Sequence, residues 1–226
     1  MKRRRLLVHM ARKRITLHLS VQQAGRLRLL IKRHREAETA FVNDLVEERA
    51  EALTEPVGSV EWERAVARMR RQARMEAADL RPTRWPALDV LMERALQERL
   101  QLPDLAGPWL PLSRTERTRL SLSGRWPACL SGCERGTAER AFTLDEDLVL
   151  KLRTAAWRVS EPVLKELEAK NLIGPSRDLS EAAREERERL AEKLYPSSRI
   201  AREAVEDHWP VPQEEDANDS AAAGDK

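Results

Sequence analysis

Residues Arg14-Ile15-Thr16-Leu17-His18-Leu19-Ser20 alternate strictly between polar and apolar, and the segments that follow them directly favour helix. Period-two alternation predicts a strand with one buried face, Ile15, Leu17 and Leu19, and one outward face, Arg14, Thr16 and His18. A lone strand ahead of helices constrains the fold more than any other feature of this chain. It has two unpaired edges, and leaving its apolar face in water forgoes roughly 1.5–3 kcal/mol per side chain. The simplest repair is a second copy of the chain whose strand pairs antiparallel with the first. Such a ribbon covers the helices with its inner face and presents Arg14, Thr16 and His18 twice on its outer face.

The sequence after the strand supplies those helices. Ser20 suits an N-cap for a helix from about Val21 to Arg35, with Leu27, Leu30 and Ile31 as its apolar stripe. Gly25 weakens that helix by up to ~1 kcal/mol relative to alanine. A break near Glu36–Glu38 is expected, then a second helix whose inward face reads Phe41, Val42, Leu45, Val46, Ala50 and Leu53. Thr54-Glu55-Pro56-Val57-Gly58 ends it.

Charge is distributed unevenly. The 226 residues carry a net charge of only +3, yet residues 1–35 hold twelve Lys or Arg and no acid. The remainder holds 29 basic and 38 acidic side chains. A basic front without acids is the electrostatic footprint of a nucleic-acid binder. The apolar run in the opening segment, Leu6-Leu7-Val8, is too short for a secretory signal, so residues 1–13 read as a basic arm. No apolar run approaches the ~20 residues of a membrane span, and a cytoplasmic protein with no membrane partner is expected. Two cysteines, Cys129 and Cys133, give no disulfide framework. A structural zinc site needs four ligands, and the nearest histidines in sequence are His34 and His208, so no metal and no cofactor are expected.

Residues 12–53 resemble a ribbon-helix-helix DNA-binding domain of the Arc/MetJ/CopG type. The strand Arg14–Ser20, the helix after it and Thr39-Ala40-Phe41-Val42-Asn43-Asp44-Leu45-Val46 carry the likeness. The resemblance implies a dimer whose ribbon enters the major groove, with Arg14, Thr16 and His18 reading bases. It also implies phosphate binding by backbone N–H groups at the start of the second helix, which maps to Glu38, Thr39 and Ala40. Helix N-termini suit anions because their amides are unpaired and the dipole is positive there. Arginine prefers guanine O6/N7, and threonine contacts a thymine methyl or hydrogen-bonds either base type. Arg3, Arg4, Arg5, Arg12 and Lys13 would track phosphates without regard to sequence.

The remainder reads as mainly α. Residues 59–102 form a helical segment: Ser59 caps a helix to about Ala78, and another opens near Pro86. Arg64, Arg68 and Arg71 share one side of the first of these, interleaved with acids as on a solvated face. Residues 103–140, with four prolines and four glycines, read as a linker-like connection carrying one capping-box start at Ser113-Arg114-Thr115-Glu116. Residues 141–209 form a second helical domain. Asp145 caps a helix to Trp157, Ser160 caps one to about Asn171, Ser180 one to Leu194, and Ser198–Trp209 closes the domain. Residues 210–226 read as a disordered acidic tail. Thr154–Gly174 is similar to a helix-turn-helix around Val159-Ser160. Phe142–Leu167 reads equally as a degraded second ribbon-helix-helix, because Phe142-Thr143-Leu144 precedes a helix; plain helical packing explains both stretches. The six tryptophans are scattered, which suits core anchors.

No phosphate loop, trustworthy Ser/His/Asp order or paired carboxylates in a recognisable setting appears, so no enzyme is expected. The expected function is sequence-specific binding of double-stranded DNA by a homodimer, as a bacterial or plasmid transcriptional repressor. An accessory DNA-binding protein for plasmid transfer or partition fits the same residues. A helical interaction subunit, antitoxin-like or scaffold, is the reading from another class, with a protein partner held by the C-terminal helical region.

Overall fold

The alternating segment folds as a strand, and its partner comes from the same chain. The computed structural model describes residues 11–116, 137–173 and 178–210. β1 (Arg12–Ser20) lies antiparallel to β2 (Thr137–Asp145), with Arg12 opposite Asp145, Thr16 opposite Ala141 and Ser20 opposite Thr137. β1 runs directly into α1 (Val21–Ala50), followed by α2 (Val60–Arg84) and α3 (Leu88–Arg99). β2 runs directly into α4 (Glu146–Ala169), followed by α5 (Glu181–Ala191) and α6 (Ser197–His208). No helix among the described residues is long and apolar enough to cross a membrane.

The partner strand expected from a second chain is thus Thr137–Asp145, whose first residues fall within the expected linker 103–140. Arg140 stands where strict alternation needs an apolar residue, so only Phe142 and Leu144 mark the strand in sequence. Both are fully buried, as are Leu17 and Leu19 of β1. The ladder continues one bond past the register, where the Glu146 N–H donates to the Ala11 carbonyl.

Two further expectations are corrected. The break at Glu36–Glu38 is absent, and α1 is one continuous helix. Arg35-Glu36-Ala37-Glu38 are all strong helix formers with no glycine or proline among them, and Lys32–Glu36 adds an i,i+4 pair at 3.7 Å. Likewise the turn expected at Val159-Ser160 is absent, because α4 runs through it with Pro162 in its interior. Leu148, Leu152, Ala155, Ala156, Ser160, Leu164 and Leu167 form one buried stripe at helical spacing. That unbroken stripe outweighs the local cost of the proline. Ser160 does not cap; its fully buried Oγ accepts the Tyr195 N–H at 2.9 Å.

Most caps do form where they are expected. Ser20 and Gln23 make a reciprocal capping box, the Gln23 N–H donating to Ser20 Oγ and the Ser20 N–H to Gln23 Oε1. Asp145 Oδ1 accepts from the Asp147 and Leu148 N–H groups. Ser59 and Ser180 cap α2 and α5, and Ser113 and Glu116 exchange hydrogen bonds.

The chain divides into two compact units. One comprises residues 11–23 and the described residues from Met92 onward; the other is Ala24–Leu91. The DNA-binding domain expected over residues 14–54, on the resemblance carried by residues 12–53, is therefore divided: the strand belongs to one unit and most of α1 to the other. In the ribbon-bearing unit, α4 packs on both strands and α6 on β1. Its core joins Ile15, Leu17, Leu19, Phe142 and Leu144 of the sheet with Val149 and Leu152 of α4 and Ile200 and Val205 of α6, all buried. A second cluster, Leu164, Leu167, Leu172, Leu190, Ala191 and Leu194, ties α4 to α5. In the other unit, Val42 and Val46 of α1 pack on Ala73 and Ala77 of α2, beside Phe41 and Trp85 with ring centroids 5.4 Å apart. Arg49–Glu76 at 2.7 Å and Arg81–Glu38 at 2.5 Å clamp that helix pair.

Two substitutions test this packing by urea unfolding. Phe142→Ala should cost about 3–5 kcal/mol, while the neighbouring outward Thr143→Ala stays within about 0.5 kcal/mol. Gly25→Ala should stabilise by about 0.5–1 kcal/mol, because an added Cβ there meets nothing within 4 Å and the helix gains propensity.

Candidate functional site

A two-stranded ribbon packed on helices has one face turned into the core and one turned away from it. The outward face of β1 carries Arg14 and Thr16, both exposed, and the half-buried His18. The opposed positions on β2 are Thr143, Ala141 and Glu139, all exposed. The result is a strip of six side chains in three cross-strand pairs, polar except for Ala141. Arg14 makes no ion pair with any described residue, so its guanidinium is available. His18 and Glu139 approach to 3.9 Å, a contact that becomes an ion pair when the imidazole is protonated.

Neighbouring elements hold the strip in place through backbone groups and leave its polar side chains outward. The His18 N–H donates to Ser198 Oγ at 3.1 Å, and Arg202 Nη1 donates to the His18 carbonyl at 3.0 Å. Both partners lie on α6, so side chains already occupy that point of the β1 edge where a further strand would pair. Gln23, buried at the start of α1, donates to the Arg202 carbonyl at 2.9 Å. Behind this, Arg99 donates to Glu203 at 2.6 Å and to the Tyr195 hydroxyl, which itself bonds Glu203. Burial pushes the Glu203 carboxyl above the usual range against the opposing pull of Arg99.

At the other end of the ribbon Glu93 acts as a staple. Its Oε1 accepts from Arg12 Nη1 and from the Asp145 N–H, both at 2.6 Å, joining the first residue of β1 to the last of β2. Arg12 also donates to the Thr143 carbonyl.

The structure brings together Arg14, Thr16 and His18 of the sequence-predicted site. Arg12, expected at phosphate, is engaged by Glu93 instead. Lys13 lies near Glu146 at 3.8 Å with both side chains about half exposed, a contact that solvent screens strongly. Arg3, Arg4, Arg5, Cys129, Cys133 and the tail from residue 211 lie outside the described residues. Thr39 does not open a helix: it sits within α1, its hydroxyl donating to the Arg35 carbonyl at 2.8 Å. The amides of Glu38, Thr39 and Ala40 are therefore spent inside a helix, and the anion site expected there is absent. Thr39 instead lines an open groove of about 570 Å³ with Arg70, Arg74 and Arg81. Arg64, Arg68 and Arg71 are exposed on α2. No group of three His, Cys, Asp or Glu among the described residues could hold a metal ion.

Sequence reasoning missed Glu139, Ala141, Thr143 and Glu93. For the first three, a usable signal is the Phe142-Thr143-Leu144 alternation running into the Asp145 cap, just as Leu17-His18-Leu19 runs into Ser20. Glu93 carries none, since its role depends on packing between segments distant in sequence. Glu93→Ala should destabilise by about 1–2 kcal/mol through the lost Asp145 bond, with amide exchange accelerated at Asp145. Unchanged exchange there would remove the staple.

No protein-family model, curated protein or solved structure matches this chain.

Proposed function

We propose that this chain binds double-stranded DNA sequence-specifically, laying the β1–β2 ribbon in the major groove, and that it acts as a bacterial or plasmid transcriptional repressor. The observation that carries this reading is the outward strip of Arg14, Thr16 and His18 on a ribbon whose other face is buried. A major groove about 12 Å wide admits a two-stranded ribbon and distinguishes all four base pairs there. Arg14 suits guanine O6/N7, and Thr16 suits a thymine methyl or a polar base edge. What the chain shares with the ribbon-helix-helix pattern is strands that each run through a capping residue straight into a helix; the second helix expected within residues 12–53 is not formed, since α1 is continuous there. Of the basic groups expected at phosphate, Lys13 and the Lys2–Arg5 segment remain, since Arg12 is committed to Glu93.

Binding of selected and scrambled duplexes across a salt series tests the proposal. Overall affinity should fall steeply with salt while a preference for the selected sequence persists, because phosphate contacts weaken and base contacts distinguish sequence. Arg14→Ala and Thr16→Ala should each reduce discrimination by about 1–3 kcal/mol without altering the fold. Removing residues 1–13 also removes Arg12 and Lys13 from β1, so the arm is better probed by replacing Lys2–Arg5 with alanine. That change should weaken all duplexes to a similar extent. A chain with no sequence preference at any salt would favour the protein-interaction reading.

A further inference from the structure

The ribbon has approximate two-fold geometry but not two-fold chemistry. Both strands are nine residues long, and the first residue of each stands opposite the last of the other. Each strand ends at a helix-capping residue, Ser20 or Asp145. The pseudo-axis passes between Thr16 and Ala141, which face each other at the middle of the ladder. About that axis Arg14 occupies the position equivalent to Glu139, and His18 the position equivalent to Thr143. A ribbon built from two identical chains presents the same residue at both equivalent positions. This one presents an arginine at one and a glutamate at the other.

We infer that the ribbon's target is an asymmetric duplex read by a single chain, with Arg14 and Thr143 at one end of the ribbon as specificity-determining residues for one half and His18 and Glu139 at the other end for the other half. This rests on the duplex-binding reading above. Arginine only donates and matches guanine O6/N7, whereas an ionised glutamate only accepts and matches the cytosine N4 amine. A palindromic site offers identical base edges at its two equivalent positions, so it cannot satisfy both side chains. Near a phosphate an ionised Glu139 is repelled, whereas a base-edge donor such as the cytosine N4 amine matches it. The ends of the outward strip carry opposite charge: Arg14 lies toward one end of the ribbon, Glu139 toward the other.

The test is selection of bound duplexes from a random library with the full chain, then with Arg14→Ala and Glu139→Gln, each confirmed to melt like the parent. Mass measurement of the complex on the shortest selected duplex gives the stoichiometry. The expected result is a consensus without dyad symmetry and one chain per duplex. Arg14→Ala should flatten preference at positions on one side of the centre and Glu139→Gln on the other, each by roughly tenfold or more. A dyad-symmetric consensus holding two chains, or a Glu139→Gln consensus identical to the parent's, overturns this inference and leaves duplex binding standing. No enriched sequence for the parent chain overturns duplex binding and, with it, this inference.

Discussion

The antiparallel pairing of Arg12–Ser20 with Thr137–Asp145 is the interaction on which the rest of this structure depends. Its partners are far apart in sequence; Arg12 and Thr143, for instance, are separated by 131 positions. Closing so long a loop costs about 4 kcal/mol of chain entropy, and the cost grows only slowly with length. Burial of Leu17, Leu19, Phe142 and Leu144 contributes roughly 1.5–3 kcal/mol for each side chain, which exceeds that closure cost. The ladder therefore stands on its apolar face, while hydrogen bonds, caps and the Glu93 staple set its register and ends.

The same division of faces makes the ribbon a candidate reading surface. Leu17 and Phe142 point into the core, so the polar side chains at alternate positions must point away from it. α6 holds β1 by backbone groups, through Ser198 and Arg202, and leaves the outward side chains unencumbered. On the proposed reading such a strip is ordered before any duplex arrives, which spares entropy on binding. Having two different strands in one chain also removes the symmetry that two copies would impose.

Much of the local structure was legible from residues alone. Ser20, Ser59, Asp145 and Ser180 each placed a helix start, because a side-chain oxygen next to unpaired amides acts within a few residues. Arg14–Ser20 announced both a strand and its outward face. What failed were boundaries governed by distant packing. Arg35–Glu38 were expected as a junction and Val159-Ser160 as a turn, yet α1 and α4 run straight through them. In α4 a continuous buried stripe from Leu148 to Leu167 outweighs Pro162, and Ser160 answers a backbone amide of Tyr195 rather than its own helix.

Periodicity and capping chemistry therefore determined which segments are strand or helix, and that β1 has a polar face worth displaying. Tertiary structure decided which strand β1 pairs with, and so which side chains stand opposite Arg14, Thr16 and His18. Arg140 hides β2 by interrupting the alternation, and burial of Phe142 and Leu144 is enough to select the strand despite it. Local propensity acts over a turn or two of backbone. Pairing is chosen by shared apolar area between segments that meet only once the chain has folded, and no short window of residues records that meeting.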